Sequence, residues 1–142
     1  VYAALEKAGY HPDAAATIIG SAIFANKPGD GSAREQAGRC QRVLGGAANF
    51  ACEYATKRYR SNCINWGMLP FLTDTPEVLA NGDYVFLPGV RKALLEAADQ
   101  MEAVAVKADG STTKFTVRLG AMTDAERQIL ADGCLINYYK NH

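Results

Sequence analysis

Ser32 and Arg34 stand two residues apart at the end of a tight glycine loop, Gly29-Asp30-Gly31, within the run 28–44. A hydroxyl, a guanidinium and the free N–H groups of a helix start, converging on one point, suit a carboxylate or a phosphate. A cation in the first helical turn is unfavourable against the helix dipole by up to ~1 kcal/mol, a cost that a bound anion would offset. A capped helix whose one arginine turns to solvent accounts for the same residues, and spacing alone leaves both accounts open.

The helix that positions these groups is marked at both ends. Ser32 as N-cap and Glu35 three places on form a Ser-x-x-Glu capping box, and Gly45-Gly46 supplies the stop. Ala33, Ala37, Cys40 and Leu44 recur at helical spacing, which predicts that this face turns inward. The short apolar run 17–24 reads as a buried strand before the loop, with a helix continuing from Asp13 as the competing reading. The run 47–54 reads as a second buried strand, parallel to the first. Strand, helix and parallel strand make a right-handed βαβ unit. Open α/β sheets bind ligands outside the carboxyl ends of their strands, so the glycine loop lies where a site would be.

The remaining elements follow in order. A short helix over 1–8 ends at Gly9, and His11-Pro12-Asp13 is a turn with His11 at the surface. A helix over 56–65 turns Tyr59, Cys63 and Trp66 inward and carries a basic face of Lys57, Arg58 and Arg60. Residues 67–81, with Pro70 and Pro76, read as a long loop. A strand at 84–87 and a helix over 90–98 precede a hairpin whose arms, 103–108 and 114–119, flank Asp109-Gly110. A last helix over 123–132 has its own capping box, Thr123 to Glu126, and Gly133 as its end.

The whole chain bounds the function class. Its 142 residues are 49% hydrophobic and 21% charged, as in a globular single domain. Fifteen Lys and Arg balance fifteen Asp and Glu, so no global field draws the chain to nucleic acid or a membrane. No apolar run is long enough to span a bilayer. The first residue is Val1 rather than Met, and we read residues 1–142 as one domain excised from a longer multidomain protein of the cytoplasm. Cys40, Cys52, Cys63 and Cys134 show no Cys-x-x-Cys pair and read as buried free thiols, not as a metal site.

Gly31-Ser32-Ala33-Arg34-Glu35-Gln36-Ala37 resembles the Gly-Ser-Ser-Arg-Glu-His-Ala signature of the aconitase superfamily's C-terminal swivelling domain. Arg60-Ser61-Asn62, followed by Trp66-Gly67-Met68-Leu69-Pro70, is similar to that family's Arg-Thr-Asn and Gly-(Val/Met)-Leu-Pro stretch. Ala131-Asp132-Gly133-Cys134-Leu135-Ile136-Asn137 resembles its closing Ala-Gly-Ser-Ala-Leu-Asn. The blocks keep the family's order, and the hydratase branch of the family resembles this chain more than the citric-acid-cycle enzymes do.

The resemblance implies a swivelling β/β/α fold of α/β class, with a mixed, partly parallel sheet and packed helices. It implies a hydro-lyase acting on a hydroxylated di- or tricarboxylic acid, with a [4Fe–4S] cluster bound by other domains of the same protein and none in this segment. Carried over, Ser32 matches the base and Arg34 the carboxylate-binding arginine, while Gly31 and Ala33 line the substrate. Ala33 replaces the family's second serine and Gln36 its histidine, so citrate or isocitrate is not assumed. Two other readings stand beside it. One is a non-catalytic anion- or RNA-binding module using Lys57-Arg58-Tyr59-Arg60. The other is a separate small subunit of an isopropylmalate isomerase-like enzyme.

Overall fold

The computed structural model describes residues 2–7, 9, 11 and 17–142. Among them six strands form one sheet: β1 (Ser21–Ala25), β2 (Gly46–Ala51), β3 (Leu69–Leu72), β4 (Tyr84–Phe86), β5 (Gln100–Val106) and β6 (Thr112–Arg118). Their order across the sheet is β1-β2-β3-β6-β5-β4. The first three are parallel, with Phe24 opposite Phe50 and Phe50 opposite Phe71. β6 joins β3 antiparallel at Leu72 and Arg118, and β5 and β4 continue antiparallel. The helices are α1 (Tyr2–Lys7), α2 (Arg34–Val43), α3 (Lys57–Asn65), α4 (Val90–Leu95), α5 (Asp124–Asp132) and α6 (Leu135–Asn141). This is the mixed, partly parallel α/β sheet that the sequence predicts.

Local chemistry explains most of these elements. Thr56 caps α3 by accepting from the Tyr59 N–H at 3.2 Å, and Thr123 caps α5 by accepting from the Glu126 N–H at 3.2 Å. Asp109 turns the β5–β6 hairpin, its carboxylate accepting from the Ser111 N–H at 2.9 Å and hydroxyl at 2.6 Å. Alternation along β5 sends Ala103 and Ala105 to one buried face and Val104 and Val106 to the other, where Leu5 of α1 covers them. The larger core joins Phe50, Phe71 and Phe115 with Ile64, Val117 and Leu119. The Phe50 ring lies 5.4 Å from that of Phe71 and 6.3 Å from that of Phe115.

Several readings are corrected. The first strand begins at Ser21, not at residue 17, and it is exposed rather than buried, with Ile23 at 46% and Phe24 at 39%. It is an edge strand, paired on one side only. Asp13, where the competing helix would begin, lies outside the described residues, as do Val1, Ala8 and Pro12.

The stretch 67–81 is not all loop: it holds β3 and a 3₁₀ turn at Pro76–Val78. Pro70 hid the strand, because a proline cannot donate to a central ladder. β6 pairs with β3 at Leu72 alone, so Pro70 stands ahead of that ladder.

Ser32 does not cap α2. Ala33 occupies the N-cap position, no side chain caps the helix, and the Ser32–Glu35 capping box does not form.

The inward face of α2 is also not the expected one. Ala33, Ala37, Cys40 and Leu44 are exposed, and the buried residue is Gly38. α2 packs on α3 there, with Gly38 facing Asn62 and Cys63.

The thiols differ among themselves. Cys63 is buried, Cys134 half-buried, and Cys40 and Cys52 exposed, all four free. Helix α4 ends at Leu95, short of residue 98, with Ala97 at φ +57° just beyond it. Helix α6 follows Gly133 and carries no turn or capping signal that would reveal it in advance.

Candidate functional site

Strands β1 and β2 end on the same side of the sheet, and the loops leaving them zip together. The Glu53 N–H donates to the Asn26 carbonyl at 3.0 Å, and the Ala55 N–H to the Pro28 carbonyl at 3.0 Å. The Thr56 hydroxyl donates to the Gly29 carbonyl at 3.4 Å. Lys27 and Glu53 add an exposed ion pair at 3.1 Å. The glycine loop is thereby fixed at the carboxyl ends of the parallel strands, where open α/β sheets place their ligands.

Gly29 rests on the ring of Tyr59, whose hydroxyl enters a buried polar network. It donates to Gln41 Oε1 at 2.7 Å and accepts from Asn49 Nδ2 at 3.1 Å. Gln41 Nε2 returns a bond to Asn49 Oδ1 at 2.7 Å, and Asn49 Nδ2 reaches Cys63 Sγ at 3.5 Å. Tyr54 flanks the network, its hydroxyl donating to the Phe71 carbonyl at 3.0 Å. Burial pushes the Cys63 thiol up to about 11 and the Tyr59 hydroxyl up to about 12, and raises Tyr54 further. These groups are therefore neutral at physiological pH and serve as scaffold: they tie the glycine loop, α2, β2 and α3 into one unit.

Above this unit lie two adjoining hollows. One, of about 430 Å³, is lined by Gly29, Gly31, Ala37 and Tyr59, and the other, of about 920 Å³, by Gln36, Arg39, Arg58 and Asn62. Ser32, Ala33 and Arg34 line both. Gly31, Ser32 and Ala33 are exposed, and Arg34, the first residue of α2, is half-buried. The Arg34 Nε is buried without a hydrogen-bond partner. Such a group costs ~1–3 kcal/mol unless an acceptor reaches the guanidinium. The geometry offers an anion a hydroxyl, a guanidinium and a helix start on one rim.

Sequence reasoning brings the Ser32–Arg34 pair to this hollow but not all of its walls. Arg39 carries no motif. Arg58, Asn62 and Trp66 share a face of α3 by their four-residue spacing, a signal that would have paired them with α2. Arg60 leaves the expected basic face: its Nη2 donates to the Leu119 carbonyl at 2.7 Å, and Nη1 lies 3.9 Å from Glu126. Among the described residues no three His, Cys, Asp or Glu side chains are grouped to hold a metal ion. No described helix is long and apolar enough to cross a membrane.

No family model matches the chain. It is 34% identical over 112 residues to the Methanogen homoaconitase small subunit of Methanocaldococcus jannaschii, an alignment covering 79% of this chain and 56% of that protein. The chain thus spans about half the length of the curated relative it matches. That identity, on a mixed α/β sheet whose glycine loop presents Ser32 and Arg34 at the carboxyl ends of parallel strands, places this chain in the aconitase superfamily.

Proposed function

We propose that this chain is the swivelling domain or small subunit of an aconitase-type hydro-lyase, supplying a serine base and a carboxylate-binding arginine. The observation that carries the reading is the buried, unpartnered Nε of Arg34 on a rim shared with Ser32. Arg34 would hold one carboxylate of a hydroxy-acid by its planar fork. Ser32, with no capping duty, would take the proton from carbon, its negative oxygen favoured by the helix start and the neighbouring guanidinium. Gly31 and Ala33 would border the substrate without a side chain in its way. The family's [4Fe–4S] cluster supplies a Lewis acid for the leaving hydroxyl. The described residues offer no ligand set for it, so it would belong to another domain or a large subunit, against which this chain closes.

The rival RNA-binding reading loses its aromatic platform. Tyr59 is 5% exposed beneath Gly29, and Arg60 is committed to the α5 side. The test pairs the chain with its cluster-bearing partner and compares Arg34→Lys with wild type. We expect KM to rise at least about tenfold, as one member of a desolvated charged pair costs ~2–5 kcal/mol. An unchanged KM would mean that Arg34 faces solvent and binds nothing.

A further inference from the structure

Helix α2 carries the arginine of the site, yet no apolar stripe seats it on the fold. Of residues 34–43, Gly38 is buried, Arg34 and Gln41 are half-buried, and all the others are exposed, Ala37, Cys40 and Val43 among them. The three recur at i, i+4 and i+7, which is one face of the helix. That face holds a guanidinium, a glycine and an amide, so hydrophobic burial does not select which way round α2 lies.

Hydrogen bonds select it instead. Gln41 Nε2 donates to Asn49 Oδ1 at 2.7 Å, and Gln41 Oε1 accepts from the Tyr59 hydroxyl at 2.7 Å and from Asn49 Nδ2 at 3.3 Å. Asn49 is 2% exposed and sits among the parallel strands, opposite Ile23 of β1 and Pro70 of β3. Both ends of the Gln41 amide are thus tied, to the sheet and to α3. Turning α2 would leave these buried groups unpaired, which is costly. Gln41 itself lines neither hollow.

We propose that Gln41 is a positioning residue: locked to Asn49 and Tyr59, it sets the rotation of α2 and so aims the Arg34 guanidinium. The inference rests on the reading of Arg34 as the carboxylate-binding residue. Arg34 and Gln41 are two turns apart, ~10.5 Å along the axis and ~20° around it, so the helix carries a rotation from one to the other. With side chains reaching ~5–6 Å from the axis, a turn of ~10° moves the guanidinium by ~1 Å. A misplacement of that size can cost up to about a hundredfold.

Gln41→Met tests this, keeping the length of the side chain and removing its hydrogen bonds. Arg42→Met is the control, since it removes a 2.9 Å bond to the Gly46 carbonyl at the same end of α2, from an exposed residue off that face. The single tryptophan reports on rotation, because the Arg39 guanidinium carbon of α2 lies 5.8 Å from the centre of the Trp66 ring. In the 142-residue chain, Gln41→Met should move the Trp66 emission toward that of Arg39→Gln, and Arg42→Met should leave it unmoved. In the enzyme assembled with its cluster-bearing partner, Gln41→Met should raise KM at least about fivefold with a smaller effect on kcat. Arg42→Met should lower the melting temperature without changing KM. Tyr59→Phe keeps the ring under Gly29 and removes one partner of Gln41, so both readouts should move the same way by less; it decides the matter if Gln41→Met does not fold. Wild-type KM in Gln41→Met, an effect on kcat alone, a raised KM without movement of Trp66, or an equal rise in Arg42→Met overturns the assignment. Arg34→Lys tells the two readings apart. If it raises KM while Gln41→Met does not, the positioning role fails alone; if neither raises KM, Arg34 holds no carboxylate and both fail.

Discussion

Gly29 lies flat on Tyr59: a Cβ at Gly29 would stand 2.4 Å from the tyrosine Cγ, and the glycine backbone has φ +93°. No other residue type meets both conditions. Gly29→Ala therefore carries a backbone cost of about 1–3 kcal/mol and must also lift the loop from the ring. We expect a lower melting temperature together with weaker anion binding at Arg34. Loss of stability with unchanged binding would uncouple the loop from the site.

The network under the loop has a signature in alkali. Cys63 and Tyr59 hold their protons up to about 11 and about 12 because they are buried, and the unfolded chain releases them near 9 and 10. With folded values raised, the stabilisation is fully present below pH 9 and is lost as pH rises through 9 to 12. Each group costs at most about 1.4 kcal/mol per pH unit in that window. Urea denaturation at pH 8 to 11 should show the fall, and Cys63→Ala should remove its earliest part. A flat profile would place these side chains in contact with water.

Gly38 offers the opposite outcome. A Cβ there would meet Met68 Cε at 3.8 Å and Asn62 Cβ at 3.9 Å, ordinary contacts, in a helical backbone. Gly38→Ala should stabilise the chain by about 0.5–1 kcal/mol, because alanine loses less freedom on folding. A drop in melting temperature would show that α2 and α3 pack more closely than these distances.

How much of this was legible beforehand depended on what each residue signals. The hairpin at Asp109-Gly110, the Thr123 cap and the alternating β5 carry their own local chemistry and were readable. Gly38 was not: the residue that faces α3 has no side chain, so the apolar stripe of Ala33, Ala37, Cys40 and Leu44 pointed the helix the wrong way. Pro70 masked β3 by the rule that keeps proline from central strands, which the short β3–β6 pairing escapes. The Ser32–Arg34 pair was visible as chemistry, but its surroundings come from α3, more than twenty residues away. Only the packing of α2 on α3 brings Arg58 and Asn62 to the same hollow.

Arg60 was grouped with the basic face and proves to be an internal tie. Its guanidinium bonds the Leu119 carbonyl at 2.7 Å with Glu126 nearby, joining α3 to the β6–α5 corner. A hydrogen bond from a charged group contributes ~1.5–3 kcal/mol, so Arg60→Ala should lose about 2 kcal/mol in urea denaturation. KM of the enzyme assembled with its cluster-bearing partner should not change. A variant as stable as wild type but deficient in binding would return Arg60 to the site.

Ser32 offers the sharpest separation, because the structure relieves it of a role in the fold. Ala33 occupies the N-cap position, no side chain caps α2, and the Ser32 side chain is exposed on the rim of the hollow. Had serine been the cap, alanine would cost ~1 kcal/mol. As an exposed loop residue it should cost less than about 0.5 kcal/mol. As the base of the assembled hydro-lyase, its loss should cost on the order of 10²–10⁴ in kcat. We therefore expect Ser32→Ala to melt with wild type, yet to be nearly inert when paired with the cluster-bearing partner. Retention of more than about a tenth of wild-type kcat, less loss than a positioned base contributes, would move the proton transfer to another group. A stability loss near 1 kcal/mol would return Ser32 to the helix end.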